Sequence, residues 1–208
     1  MNEQNSYQEG FNTSTLRFRM LTSGPELVTS EVAYGFLNLI RDYRIAPQKN
    51  IVLILECSGT KPWTFSYVRR ILSGLMRGTN WEEQVEILTL SSMLGIVPSP
   101  YEQDFPAAYY DWNIDAESQS ERLNSAVLIN SLRVHDFLSR QPFINSKTCI
   151  AATHGRFRVI LGDASRFFKK FKDLGWSEQH EHRSLDIIRL YYHLTEELSC
   201  VTGGESKP

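Results

Sequence analysis

Ile51-Val52-Leu53-Ile54-Leu55, followed by Glu56-Cys57-Ser58-Gly59-Thr60-Lys61-Pro62-Trp63-Thr64-Phe65-Ser66, decides the fold class. Five consecutive aliphatic residues, bounded by a turn on each side, read as a strand buried on both faces. A small-residue turn follows, and then a run of helical period from Tyr67 to Met76. Strand, turn and helix make up the unit of an open α/β sheet, and the turn at the strand's carboxyl end is where such sheets place ligands. Here that turn carries the thiol of Cys57, two hydroxyls and the amine of Lys61.

The same pattern recurs along the chain. Val85–Ser91 reads as a second buried strand, and Thr148–Thr153 as a third that ends at His154-Gly155. Phe157–Leu161 continues or pairs with the third. The apolar spacing predicts helices over Glu31–Tyr43, capped by Thr29 or Ser30, and over Trp63–Arg77, Ala116–Arg140, Ala164–Leu174 and Leu185–Cys200. On the long helix, Leu123, Val127, Leu128, Leu132, Val134 and Leu138 mark the apolar side. Thr15–Leu21 alternates as an edge strand would. Ser92–Ile114, with three prolines, is irregular, and loops of that length inside a domain usually carry function. The alternation predicts an α/β three-layer sandwich, with a mostly parallel central sheet and helices on both faces. Residues 15–200 are expected to form a single catalytic domain, with disordered segments at 1–14 and 201–208.

Of the 208 residues, 41% are hydrophobic and 22% charged, which is ordinary globular composition and enough chain to bury a core. A net charge of −2 gives no overall basic field, so contact with nucleic acid has to come from a local patch. Three cysteines, Cys57, Cys149 and Cys200, are odd in number and widely spaced, which argues against a disulfide framework. With no charged-then-apolar leader and no apolar run of membrane length, a cytoplasmic, reducing setting without membrane contact is expected.

In a parallel sheet the three strand ends, at Cys57, Ser91-Ser92 and His154, share one edge and can converge. Cys57 is either a small core residue or a nucleophile. The thiolate is the reactive form, and a cation or a helix N-terminus favours it; Lys61 and the first amides of the following helix supply both. Lys61 could instead bind phosphate. Glu56 and His154 are either structural or the acid and base beside the thiol. His180-Glu181-His182 has weak spacing for a metal, and no metal site is expected. Arg156, Arg158, Arg166, Lys169, Lys170 and Lys172 offer contacts to a phosphate backbone or a solvated face; Arg69 joins them. Tyr109, Tyr110 and Trp112, with Asp111 among them, form either a packed loop or a stacking surface with a carboxylate suited to a flat base with ring N–H donors.

Two stretches together resemble the archaeosine synthase core-domain family. Cys57-x3-Lys61-Pro62-Trp63-x2-Ser66 follows that family's Cys-x3-Lys-Pro-Tyr-x2-Ser-x2-His pattern. Leu90-Ser91-Ser92-Met93-Leu94-Gly95-Ile96-Val97-Pro98, then Glu102, Pro106-Ala107 and Tyr110-Asp111, follows its Ser-Pro-Leu-Gly-x-Val-Pro…Glu…Tyr-Pro-Ala…Tyr-Asp segment. The likeness covers roughly residues 50–160. Glu56 stands where the family has proline, Trp63 where it has tyrosine, Arg69 where it has histidine, and Ser92-Met93 where Ser-Pro is usual.

The resemblance implies chemistry on the nitrile of 7-cyano-7-deazaguanine (preQ0) within nucleic acid. Archaeal relatives add an amine to give an amidine on tRNA. Stand-alone bacterial relatives resemble DpdC of the 7-deazaguanine DNA-modification system, where water gives the amide. The RNA-binding domain of the tRNA enzymes has no counterpart in these residues, so DNA is favoured over tRNA as the partner. Other proteins of such a system are possible partners, and no cofactor is implied. On this resemblance Cys57 is the nucleophile and Lys61 its partner, and Glu56 and His154, read from their strand-end positions, complete the expected catalytic set. Ser58, Ser66, Ser92, Tyr110, Asp111 and Trp112 are expected to contact the substrate, and the cations Arg69, Arg156, Lys169 and Lys170 the polymer. Competing readings are a nucleobase glycosidase or transglycosylase-like fold, and a non-catalytic reader of deazaguanine-modified nucleic acid.

Overall fold

The computed structural model describes residues 24–58, 61–77, 79–108, 110, 112–176 and 183–202. Its centre is β1, Ile51–Glu56, in which residues 51–55 are at most 4% exposed. β1 pairs in parallel with β2, Val85–Ser91, on one side and with β4, Thr148–Ala152, on the other. β3, Gly95–Pro98, folds back antiparallel on β2 and forms one edge; β5, Lys170–Asp173, adds in parallel to β4 and forms the other. The order β3-β2-β1-β4-β5 makes this an α/β sandwich with a mostly parallel sheet. The chain leaves β1 toward β2 and later crosses back to β4, so the switch point lies between β1 and β4, at their carboxyl ends.

Alternation within the strands sends side chains into two cores. Val52, Ile54, Leu88, Leu90, Cys149 and Ala151 face one layer of helices. That layer holds α1, Glu31–Leu39, α4, Glu121–Ser139, and α5, Gly155–Leu161. Ile51, Leu53, Leu55, Val85, Ile150 and Ala152 face the other layer, where Leu72 and Met76 of α2, Tyr67–Met76, meet Ile187, Leu190, Leu194 and Leu198 of α6, Arg183–Thr202. Hydroxyls cap the helices where the chain turns in: Ser30 Oγ accepts from Ala33 N at 3.2 Å, and Ser120 Oγ from Leu123 N at 3.1 Å. In β2, Glu86 is buried and accepts from the Tyr43 hydroxyl at 2.6 Å; burial raises the carboxyl above its ordinary pKa.

Several elements differ from the sequence reading. Trp63–Phe65 and Ile114–Ala116 are separate 3-10 turns and not the first turns of α2 and α4. A four-residue helix, α3, Trp81–Gln84, precedes β2. Residues 155–161 are helix and not a strand continuation, and 164–174 divides into a 3-10 turn, Ala164–Phe167, and β5. α4 turns Leu123, Ala126, Asn130, Val134, Phe137 and Leu138 inward, whereas Leu128 and Leu132 are about 60% exposed. Thr15–Leu21 lies outside the described residues. Among the described residues no helix is long and apolar enough to cross a membrane.

Candidate active site

β2, β1 and β4 are adjacent, so their carboxyl ends bring Ser91-Ser92, Glu56-Cys57 and His154 side by side. Cys57 lies just past β1, held by its N–H to Leu90 O at 2.8 Å, and its side chain is partly exposed. Its Sγ sits 3.5 Å from the Tyr110 hydroxyl and 3.6 Å from Ser92 Oγ.

The polarity of this contact follows from counting. Ser91 Oγ accepts from Met93 N at 3.2 Å and Leu94 N at 3.1 Å, which fills both lone pairs. Its own proton therefore points to the Tyr110 oxygen, 2.8 Å away, and the Tyr110 proton goes to Cys57 Sγ. Burial, and then the charge of a Cys57 thiolate, raise the Tyr110 phenol well above its ordinary pKa, so it stays a donor. Lys61 brings its ammonium over the same ring, 4.3 Å from the centroid, and 5.3 Å from that of Trp63. Lys61 Nζ also donates to Ser58 O at 3.1 Å, which ties its ammonium to the residue after the thiol.

On the other side of Cys57, Glu56 reaches across the switch point. Its Oε2 accepts from His154 N at 3.0 Å and lies 2.5 Å from His154 Nδ1. An ionised carboxylate can only accept, so Nδ1 carries a proton. The second ring nitrogen, Nε2, faces Asp115 Oδ2 at 3.5 Å. That separation makes an ion pair and not a hydrogen bond; among the described residues, buried Oδ2 accepts no hydrogen bond. Asp115 is fixed through its other oxygen, which accepts from Arg156 N at 2.7 Å. Gly155 allows this approach: its φ is +49°, and a Cβ there would stand 2.6 Å from Asp115 Oδ1.

These contacts form a ring. Cys57 touches Ser92, Ser92 Oγ accepts from Ile114 N at 3.2 Å, Asp115 faces His154, and His154 is held by Glu56, the neighbour of Cys57. The ring places a thiol, a phenolic donor and a doubly flanked imidazole on one edge of the sheet.

Cys57, Lys61, Glu56, His154, Ser92 and Tyr110 are brought together; Ser58 joins through its carbonyl. Ser66 is buried as the cap of α2, its Oγ accepting from Arg69 N at 3.3 Å. Trp112 is in the core, donating to Glu117 Oε1 at 2.8 Å. Arg156 is half-buried beside the site, its guanidinium on Ile114 O. Arg69 is 7% exposed and ion-paired to fully buried Glu102, so it has no surface to offer a phosphate. Lys169 and Lys170 are exposed at the amino end of β5, level with the start of β4 and therefore at the opposite edge of the sheet, and Lys170 is paired with Glu197. Asp111, Tyr109 and His180-Glu181-His182 lie outside the described residues. Asp115 and Ser91 were not singled out from the sequence: a lone aspartate in a loop and the first of two serines carry no spacing signal.

A crystal structure of AF0587, a protein of unknown function, resembles this fold with a TM-score of 0.47 and 18% identity, over 84% of this chain and 51% of that one. Archaeosine synthase subunit alpha of Thermoplasma acidophilum is 28% identical over 99 residues, which is 45% of this chain and 19% of that protein, so the chain spans only about a fifth of that relative's length. Residues 34–183 match the family described as "Domain of unknown function (DUF5591)". That match takes in β1 to β5 and every residue of the ring around Cys57, and the chain belongs to the DUF5591 family.

Proposed function

We propose that the protein modifies the nitrile of 7-cyano-7-deazaguanine carried in nucleic acid, with Cys57 as the nucleophile and water completing the reaction to 7-amido-7-deazaguanine. The observation that carries this reading is the partly exposed thiol with a hydroxyl donor of fixed direction at 3.5 Å. The likeness to archaeosine synthase subunit alpha supports the substrate class.

A nitrile carbon is a weak electrophile, so addition needs a thiolate and a proton for the nitrogen. Tyr110 O–H and the Lys61 ammonium stabilise the sulfur anion. As the S–C bond forms, one π bond of the nitrile opens and the nitrogen takes a proton from His154, giving a thioimide. Water then adds to the same carbon and its proton passes to the Glu56–His154–Asp115 cluster. The C–S bond breaks, the thiolate returns, and the amide remains. The base has to leave its stack to reach a site of this kind. Asp111 is proposed to read the edge of the base; Trp112, buried in the core, is not available to stack on it. DNA is proposed ahead of tRNA as the polymer.

A second reading has an amine attack the thioimide to give an amidine, as the likeness to an archaeosine synthase subunit suggests. Glu56 and Asp115 would draw such an amine in as its ammonium form, take one proton from it so that the neutral nitrogen attacks the thioimide carbon, and leave the thiolate to depart as the amidine forms.

The test is mass spectrometry of nucleosides released from preQ0-containing DNA and preQ0-containing tRNA after incubation with the protein. Incubations run with no added amine, with lysine and with ammonia. A gain of one water on the base, absent in Cys57→Ala, is expected. A gain only when amine is present selects the second reading. No change under any condition, or the same turnover in Cys57→Ala, overturns covalent nitrile chemistry.

A further inference from the structure

From Cys57 to Trp81 the chain holds no acidic residue, yet it carries Lys61, Arg69, Arg70 and Arg77. The structure sorts these cations. Lys61 belongs to the site and Arg69 is buried against Glu102. Arg70 and Arg77 are exposed, on α2 and on the residue that caps its end, and among the described residues neither guanidinium has a hydrogen-bond or ion-pair partner. Several other surface cations are neutralised, Arg158 by Asp173, Arg166 by Asp163, Arg140 by Asp136 and Lys170 by Glu197, whereas exposed Arg41, Arg122 and Lys169 have no ion pair among the described residues and no exposed ring sequence beside them like that at Phe65 and Tyr67.

At the amino end of the same helix stand two rings exposed to solvent, Phe65 at 63% and Tyr67 at 55%. They flank Ser66, whose hydroxyl caps α2 and fixes the chain there. Two residues before Phe65, buried Trp63 packs edge-on against Tyr110 at 6.2 Å, and Tyr110 touches the thiol. The exposed rings therefore adjoin the loop that forms one wall of the candidate site. Arg70 follows Tyr67 by three residues on the helix, and Arg77 lies seven further on, about 10 Å down the axis on the same side. Exposed Glu82 and Glu83 of α3 end the stripe.

We propose that Phe65, Tyr67, Arg70 and Arg77 form the track for the single strand that carries the target base. The bases beside the target stack on Phe65 and Tyr67, and the backbone follows Arg70 and Arg77 along α2. Rings interleaved with unpaired cations make up the binding chemistry of single strands: an aromatic face accepts any base, and each guanidinium takes a phosphate. The assignment rests on the reading of the substrate as a nucleic acid. It replaces Arg69, Lys169 and Lys170 as the strand contacts with residues of one exposed stripe that starts at the rings beside the site and runs away from it along α2.

The probe is a fluorescein-labelled, unmodified oligo-dT of about 15 nucleotides, a length that covers a site of this class, followed by fluorescence anisotropy at several salt concentrations. Phe65→Ala/Tyr67→Ala is expected to weaken binding about tenfold or more, as loss of base stacking does. Arg70→Ala/Arg77→Ala is expected to lower the slope of log affinity against log salt by about 1.4, the release of two single-strand contacts. All four positions are surface ones, so both variants should fold. Turnover of the free 7-cyano-7-deazaguanine nucleoside is expected to stay at the wild-type rate in both variants, while KM for the polymer rises. Wild-type strand binding in both variants, no strand binding by the wild type, or equal affinity for the same strand in a duplex would each overturn the track. Because the probe carries no nitrile, none of these results depends on the chemistry at Cys57.

Discussion

Asp115 Oδ2 lies 3.5 Å from His154 Nε2, on the opposite side of the imidazole from Glu56, which holds Nδ1 at 2.5 Å. The imidazole is thus gripped by a carboxylate at each ring nitrogen, which fixes its plane and the direction of its N–H bonds. In the proposed reaction this is the group that gives a proton to the nitrile nitrogen in the first step and takes one back in the second.

Asp115→Asn keeps an oxygen for Arg156 N but removes the charge facing Nε2. It is expected to lower kcat about ten- to a hundredfold, part of what a positioned acid contributes, with KM little changed. A wild-type kcat in this variant would remove Asp115 from the mechanism.

Tyr110→Phe deletes the donor to Cys57 Sγ and strands the Ser91 proton. The unpaired buried hydroxyl costs about 1–3 kcal/mol of stability, read by urea unfolding. Alkylation of Cys57 by iodoacetamide at neutral pH, followed by peptide mass mapping to separate it from exposed Cys200, should slow about ten- to a hundredfold, as the loss of one hydrogen bond to a charged group implies. An unchanged alkylation rate would show that the thiolate does not depend on the phenol.

Arg69 and Glu102 form a buried pair, with Thr89 Oγ1 donating to Glu102 Oε1 at 2.5 Å and accepting from Arg69 Nη2 at 2.5 Å. Burial lowers the Arg69 pKa and raises that of Glu102, and each charge opposes the shift of the other. Arg69→Met or Glu102→Leu alone is expected to cost about 3–5 kcal/mol, because each leaves a buried charge without its partner. The double variant should cost less than the two singles added together. Simple additivity in denaturant unfolding would contradict a direct pair.

Glu86 provides a test in pH. Burial raises its folded carboxyl above the ordinary range, so between those two values the folded state binds more protons than the unfolded one, and the contribution of Glu86 to stability falls as pH rises. Glu86→Gln is fixed in the neutral form and still offers an oxygen to Tyr43. Its stability relative to wild type should therefore improve from about pH 4 to about pH 8, across the carboxylate range. A difference independent of pH would mean that Glu86 titrates as an ordinary surface carboxylate.

The three central strands were legible because β1, β2 and β4 are apolar on both faces, a pattern no surface element shares. β5 was not: Lys170-Phe171-Lys172-Asp173 sits at an edge with every residue at least partly exposed, and its charges suit a helix face equally well. β3 was hidden among prolines, since an antiparallel return of four residues carries no period. In the site, Cys57, Lys61 and His154 stood out because reactive residues at strand ends have few other uses. Ser91 and Asp115 did not, because their roles depend on which backbone amides come to face them. Arg69 misled for the same reason: its partner Glu102 is 33 residues away and meets it only in the folded chain.

The loop from Ser99 to Ala116 contributes Glu102 to the pair beneath the site, Tyr110 to the thiol and Asp115 to the imidazole. One segment thus delivers an anchor, a hydroxyl and a carboxylate, and all three must arrive together. If the loop opens, Cys57 loses its donor and His154 its second carboxylate in one event, so no partly equipped site is populated. Catalytic competence then measures a local unfolding equilibrium. Hydrogen exchange of the amides of Ile114 and Arg156, which are bonded across the loop, should report the same opening free energy.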